Sequence, residues 1–435
     1  MIALRTFFTA AALLGAAAAA SAQETLVIRG GTVHPVSGPS FVGNVVIQGG
    51  RIAAVGADVN APPGARVIDA TGLHVYPGLF DAGTQLGLIE VESIDVTADI
   101  DELGDFTPHL QARTAVHPAS EHIPVARANG ITHTLALPGG RSAGGGFAGQ
   151  GSVFNLAGWT IEEMEITPSA VMVMNWPARG GGGGFGPGGG QQRSARDIRE
   201  EHERAVHRLR EWLARARDYD RAVAGGAVIP RDLRLEALAR VAKGELPVFV
   251  RVDRERDIRD VIAFAEQEGL KLIIGGAGEG YKVAKLLAEK QIPVILGPTQ
   301  ALPRSPDARY DEAYANPGLL HAAGVKIAFA TFNAADSRTL PYEAAMATGY
   351  GLPRDVALRA VTLNPAEILG LGDRLGSIEP GKIANLIVTD GDPLEITTQI
   401  RHLIIGGRET NTDNKHRQLY EKYRARPLPA ARAGT

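Results

Sequence analysis

A chain of 435 residues with 44% hydrophobic and 21% charged residues can bury a large core, enough for one big α/β domain and a smaller partner. Its formal net charge of -3 gives no reason to expect nucleic acid, whose binding requires a concentrated basic face. With no cysteine, a disulfide framework, thiolate metal sites, cysteine nucleophiles and lipidation at a processing site are excluded as well.

The chain opens with Arg5, an apolar run from Phe7 to Ala20, and the small-x-small triplet Ala20-Ser21-Ala22. This reads as a secretory signal over residues 1–22 with Gln23 as the mature N-terminus. The expectation is an exported protein, most simply periplasmic, and no second apolar run offers a membrane span. Short strands punctuated by turns follow: Thr25 to Arg29, Asn44 to Gln48, Arg51 to Val55 and Arg66 to Asp69, with Gly49-Gly50 as a hairpin signal. That module is too small to close alone. Matching strands recur at the far end, Ala384 to Thr389 and His402 to Ile405 with Gly406-Gly407, so a composite β-sandwich from residues 23–73 and 375–412 is expected.

Between them, over residues 74–374, strand and helix alternate. Strand candidates are Val75 to Phe80, Ile131 to Leu137, Ala170 to Asn175, Val248 to Val252, Leu270 to Ile274, Ile292 to Leu296 and Val325 to Ala330, with an eighth near Ser152 to Leu156. They are apolar without clean alternation, as parallel strands covered on both faces are. Helices are expected over Asp257 to Gln267, Tyr281 to Lys290 and Pro341 to Tyr350. Gly139 to Gly151 reads as a loop over a barrel mouth, and the glycine-rich insert 179–192 as a mobile one. A helix from about Ser194 to Arg221 carries an apolar stripe through Ile198, His202, Ala205, Leu209, Trp212, Ala216 and Tyr219. Residues 413–435 read as a tail.

Several separated motifs, in order, resemble the amidohydrolase superfamily. They are Val75-Tyr-Pro-Gly-Leu-Phe-Asp81, Pro124-Val-Ala-Arg-Ala-Asn-Gly-Ile-Thr132, Pro341-Tyr-Glu-Ala-Ala345 with Ala360-Val-Thr-Leu-Asn-Pro-Ala366, and Gly376-Ser-Ile-Glu-Pro-Gly-Lys-Ile-Ala384. The chain looks most like exported members related to imidazolonepropionase. The resemblance implies a (β/α)8 TIM-like barrel beside a composite β-sandwich. It also implies hydrolysis of amide or cyclic amide C–N bonds by a bound divalent metal, usually zinc. Its metal-ligand positions fall on Gly83, Gln85, Arg251, Gly275 (or Gly276) and Phe332, none of which is a ligand of that kind. No metal cofactor is therefore expected.

The polar residues left at the mouth are Asp81, Gln85, Arg251, Asp253, Glu279, Asn333 and Asp336. Arg251 either meets an anionic group of a small-molecule ligand or fills the metal space by pairing with Asp81 or another carboxylate. Other motifs lack their context. His109, His117, His122 and His133 follow no ligand spacing, and His202 and His207 would lie roughly 140° apart on a helix at about 100° per residue. Gly140-Arg-Ser-Ala-Gly144 has the nucleophile-elbow pattern without the following helix. Gly144-Gly-Gly-Phe-Ala-Gly149 matches a dinucleotide fingerprint by letters only, and Gly376 to Ile383 reads as a turn of the sandwich rather than a phosphate loop. Two functions stay open: a hydrolase of non-peptide C–N bonds, or a non-catalytic pseudoenzyme that binds a ligand or a partner, as a homo-oligomer or beside an active relative.

Overall fold

The computed structural model describes residues 25–139, 144–179, 194–304 and 306–427. The signal segment, residues 140–143 of the elbow-like motif and the glycine-rich insert beyond Arg179 lie outside the described residues.

Two eight-stranded sheets organise the described chain. The first is mixed and is built from both ends of the sequence. Its strands are β1 (Leu26–Val33), β2 (Phe41–Gln48), β3 (Arg51–Gly56), β4 (Arg66–Asp69), β5 (His74–Pro77), β14 (Leu386–Thr389), β15 (Ile400–Ile405) and β16 (Arg408–Thr410). β5 runs between β1 and β14, pairing Val75 with Val388 and Pro77 with Leu386. The glycine pairs expected to turn hairpins do so: Gly49 and Gly50 join β2 to β3 with φ of 57° and 78°, and Gly406 and Gly407 join β15 to β16 with φ of 56° and 78°.

The second sheet is the barrel: β6 (Leu79–Thr84), β7 (Ile131–Ala136), β8 (Gly146–Asn155), β9 (Glu165–Asn175), β10 (Val248–Val252), β11 (Leu272–Gly276), β12 (Val294–Leu296) and β13 (Ile327–Phe329), in that spatial order. The ring closes where the Phe332 N–H, just past β13, donates to the Gly83 carbonyl at 2.9 Å. Side chains alternate as a pleated strand requires. Phe249, Ile273, Ile295 and Ala328 fill the interior, whereas Val248, Val250, Ile274 and Phe329 pack outward against the helices.

Three expectations need correction. Val75 to Phe80 is not one strand, because the chain breaks at Gly78, where a Cβ would lie 2.1 Å from the Thr132 hydroxyl. The Gly78 N–H bonds the Asn385 carbonyl at 2.8 Å, so the residues before it join the composite sheet and those after it the barrel. The barrel is not wholly parallel, since β8 runs antiparallel to both β7 and β9. Its links to those neighbours are shorter than a parallel crossover can be. Finally, β8 starts at Gly146, inside the stretch read as a loop. Glycine is there for close approach, a Cβ at Gly146 falling 1.8 Å from the Asp105 carbonyl oxygen and one at Gly151 falling 2.9 Å from Val171.

The long charged helix runs Ala195–Ala224. Ser194 accepts from the Asp197 N–H at 3.1 Å while the Asp197 carboxylate accepts from the Ser194 N–H at 3.3 Å, a reciprocal cap that fixes its start. Its buried face is His202, Ala205, Leu209, Leu213 and Ala216, so Leu213 takes a place expected of Trp212. Within the tail, Lys415–Arg424 forms a helix that buries no residue.

Candidate functional site

Parallel barrel strands bring the residues just after their C-terminal ends together at one face. Here that face holds Gln85, Arg251, Asp253, Gly276, Gly297 and Phe332. A cavity of about 310 Å³ opens at the ends of β10, β11 and β12, lined by Arg251, Asp253, Gly276, Leu296, Pro298, Arg304, Glu312 and Pro317 among others. A larger cavity, about 740 Å³, lies at the opposite end, between Pro247, Lys271, Pro293 and Leu371 at the starts of strands. Barrels keep their chemistry at the C-terminal face, so the smaller cavity is the relevant one.

At two of the metal-ligand positions implied by the resemblance, Gly83 and Gly275, aromatic rings occupy the side-chain space. A Cβ at Gly83 would lie 2.9 Å from the Phe332 ring and 2.9 Å from Leu137. One at Gly275 would lie 2.2 Å from the Phe249 ring. The two rings sit 6.1 Å apart, tilted by 50°. Phe332 adopts φ of 52°, a left-handed backbone that a bulky residue rarely holds. That conformation costs on the order of 1–3 kcal/mol and is sustained by the ring's packing. The Arg251 guanidinium stacks over the outer face of Phe332, 4.5 Å from its centroid. Among the described residues, no three His, Asp or Glu side chains come together to hold a metal. The donors present and the space left to them do not fit the family's metal.

The candidate residues separate into distinct places. Asp81 is fully buried in the barrel wall, where it accepts from the Thr331 hydroxyl at 2.6 Å, the Thr331 N–H at 3.1 Å and the Gly83 N–H at 3.3 Å. Burial pushes its pKa up to about 7 against those bonds. Gln85 reaches the Gly139 carbonyl at 3.5 Å. Asn333 donates to Glu92 and accepts from the Asp336 N–H at 2.9 Å, tying two mouth loops together. Glu279 accepts from the Glu255 N–H at 2.7 Å and from Lys282 at 2.8 Å, a local loop clasp.

Only Arg251 and Asp253 share the cavity. Asp253 is held by Arg304 at 2.8 Å and by the Gly278 N–H at 3.2 Å. Arg251 does not pair with Asp81, and among the described residues it has no hydrogen bond or ion pair. It is open to the mouth, yet enough protein surrounds it that desolvation lowers its pKa, Asp253 opposing and Arg304 adding to that shift. A guanidinium stays charged regardless.

The four clustered histidines do not converge. His133 is buried against the Thr132 hydroxyl at 2.7 Å, and burial drives its pKa down to about 3, while His122 bonds the Glu90 carbonyl at 2.9 Å. His202 packs inward and bonds the Pro177 carbonyl, whereas His207 faces solvent beside Glu211. Sequence reasoning missed Phe249, Arg304 and Glu312. Phe249 was within reach, because it lies two residues before Arg251 and so shares its face of the strand. Arg304 sits within a proline-rich loop and Glu312 beyond it, both with no local signal.

Comparison with known proteins agrees with this architecture. The family described as "Amidohydrolase family" matches residues 205–413. The crystal structure of an amidohydrolase from Thermotoga maritima superposes with a TM-score of 0.76 at 28% identity, covering 89% of this chain and 99% of that one. Over residues 205–413 the chain is similar to the amidohydrolase family, and it shares the fold of the Thermotoga protein. Amidohydrolase tasK of Hapsidospora irregularis is 26% identical over 383 residues, 82% of this chain, and the match spans 38% of that protein's length. Imidazolonepropionase of Sphingopyxis alaskensis is 40% identical over 84 residues, 18% of this chain and 20% of that protein. Within this barrel, Phe332, Arg251 and Arg304 stand at the mouth beside Asp253 and Glu312. No helix among the described residues is long and apolar enough to cross a membrane.

Proposed function

We propose that this protein is a ligand-binding member of the superfamily in which an aromatic plug has replaced the metal-dependent hydrolytic centre. The observation that carries this reading is the pair of rings, Phe332 and Phe249, in the space that side chains at positions 83 and 275 would need. A metal ligand restored there would meet a ring before it met an ion. Arg251, a cation stacked on that plug and facing a cavity, points to binding in place of hydrolysis.

The competing reading is hydrolysis of non-peptide C–N bonds, amides or cyclic amides, with a different catalytic group. Asp81 favours it, since a carboxyl with a pKa of about 7 suits a general base. Its enclosure by Thr331 and Gly83 weighs against it, because a general base must reach the proton it removes. The experiment measures the metal content of the purified protein together with turnover of cyclic amides and N-acyl amino acids. Stoichiometric metal lost along with activity on chelation would overturn the binding reading. No metal and no turnover would overturn hydrolysis.

We propose two further placements. Residues 1–22 support export to a periplasm and kinship with exported imidazolonepropionase-like members, and a mature N-terminus at Gln23 is the expected sequencing result; retention of Met1 refutes it. Assembly as a homo-oligomer or beside an active relative is tested by the mass of the native particle, a monomer alone being the refuting result.

A further inference from the structure

The mouth cavity holds two charges that the fold leaves unused. Arg251 is one. The other is Glu312, first residue of the helix Glu312–Ala322, which is only 7% exposed and lines the same cavity. Its carboxylate has no hydrogen-bond or ion-pair partner among the described residues. Lys282, whose field reaches it, is bonded to Glu279 at 2.8 Å. Glu312 as a residue is largely enclosed, but its carboxylate oxygens are not sealed off, so on the cavity wall they can accept from a cationic occupant. The cavity's remaining charges, Asp253 and Arg304, satisfy each other at 2.8 Å.

Arg251 and Glu312 line one cavity without pairing, so a gap separates a free cation from a free anion. The occupant that neutralises both carries one charge of each sign. The lining also includes the aliphatic Leu296, Pro298, Ala301 and Pro317 beside Thr299 and Asn316, and the space of about 310 Å³ is at the small end of ligand pockets. We propose that this cavity binds the zwitterionic head of a free α-amino acid, the carboxylate on the fork of Arg251 and the ammonium on Glu312. A guanidinium presents paired N–H donors that match a carboxylate, and a carboxylate accepts from an ammonium. This inference rests on the reading of the mouth as a binding site without metal hydrolysis.

Calorimetric titration of the purified protein tests it. The probes are L-alanine, L-proline, L-leucine and L-phenylalanine, each beside its N-acetyl derivative, which lacks the cation, and its amide, which lacks the anion. At least one free amino acid is expected to saturate with a Kd below about 10 mM. Its two derivatives are expected to bind about 30-fold more weakly or worse, the loss that follows removal of one partner of a buried charge pair. Arg251→Gln should abolish the preference for acid over amide while keeping that for free amine over N-acetyl, and Glu312→Gln should do the reverse. A misfolded variant cannot reproduce that crossed pattern. Saturation by none of the four, derivatives that bind as well as the parent, or unchanged preferences in the variants overturns the inference. Failure here in a metal-free, inactive protein leaves the binding reading intact, whereas stoichiometric catalytic metal overturns that reading whatever the titration shows.

Discussion

Asp81 lets the electrostatics of the barrel wall be measured. Its carboxyl is fully buried and its pKa is pushed up to about 7, chiefly by desolvation, against hydrogen bonds from Thr331 and Gly83. A carboxyl whose folded pKa lies above its unfolded value binds its proton more tightly in the native state. Its contribution to stability is therefore complete below the ordinary value of 3.8 and is lost as pH rises through about 7. One pKa unit corresponds to about 1.4 kcal/mol. The interval from 3.8 to about 7 thus bounds the loss at roughly 4 kcal/mol. Asp81→Asn keeps an oxygen for the Thr331 N–H and offers an amide to the Thr331 hydroxyl, but it cannot ionise. Urea unfolding of both proteins from about pH 4 to about pH 8 isolates the group, since every other titration cancels in the difference. The variant should gain on the wild type by up to roughly 4 kcal/mol across that range, mostly below pH 7. Parallel stability profiles would refute the reasoning.

The aromatic plug gives two further tests. Phe332→Ala should destabilise by about 2 kcal/mol, less than for a fully enclosed ring because one face is open to Arg251. Phe332→Gly should be the more stable of the two by about 1 kcal/mol, since glycine holds φ of 52° without strain; the opposite order in urea unfolding would remove strain from the account. Gly275→Ala should cost about 1–3 kcal/mol through its clash with Phe249 and much less in a Phe249→Ala background, and additive costs in that double-mutant cycle would show that the ring does not occupy the space.

The strands were legible as runs such as Val248 to Val252, whose outward valines and inward Phe249 are apolar together, but their closure into a barrel was legible only through the family resemblance. The composite sheet was legible because hairpin glycines punctuate both ends. The replaced positions Gly83, Arg251 and Gly275 could be read against the family's pattern one at a time. What could not be read was what fills them, because the Phe332 ring reaches Gly83 only when the last barrel strand closes on the first. Strand β8 was legible only at its end, near Ser152 to Leu156, its first half being hidden by its own composition. Its glycines answer to close contacts with Asp105 and Val171, which no local pattern reports. Glu312 carried no signal either: it follows a turn at the head of a helix, where an acidic residue is ordinary. Only the cavity reveals that Glu312 lines its wall with a carboxylate that has no partner among the described residues.

The weaving of both ends into one sheet also sets a timetable. β5 is flanked by β1 on one side and β14 on the other, so its second neighbour does not exist until Leu386 has been synthesised. At ordinary elongation rates of about 5–20 residues per second that delay is on the order of tens of seconds. Throughout it the early strands present an unpaired edge, the feature most prone to recruiting another chain. The nascent protein must therefore be kept apart from its own copies until its last strands arrive, and the barrel has to form within a sheet that is still open.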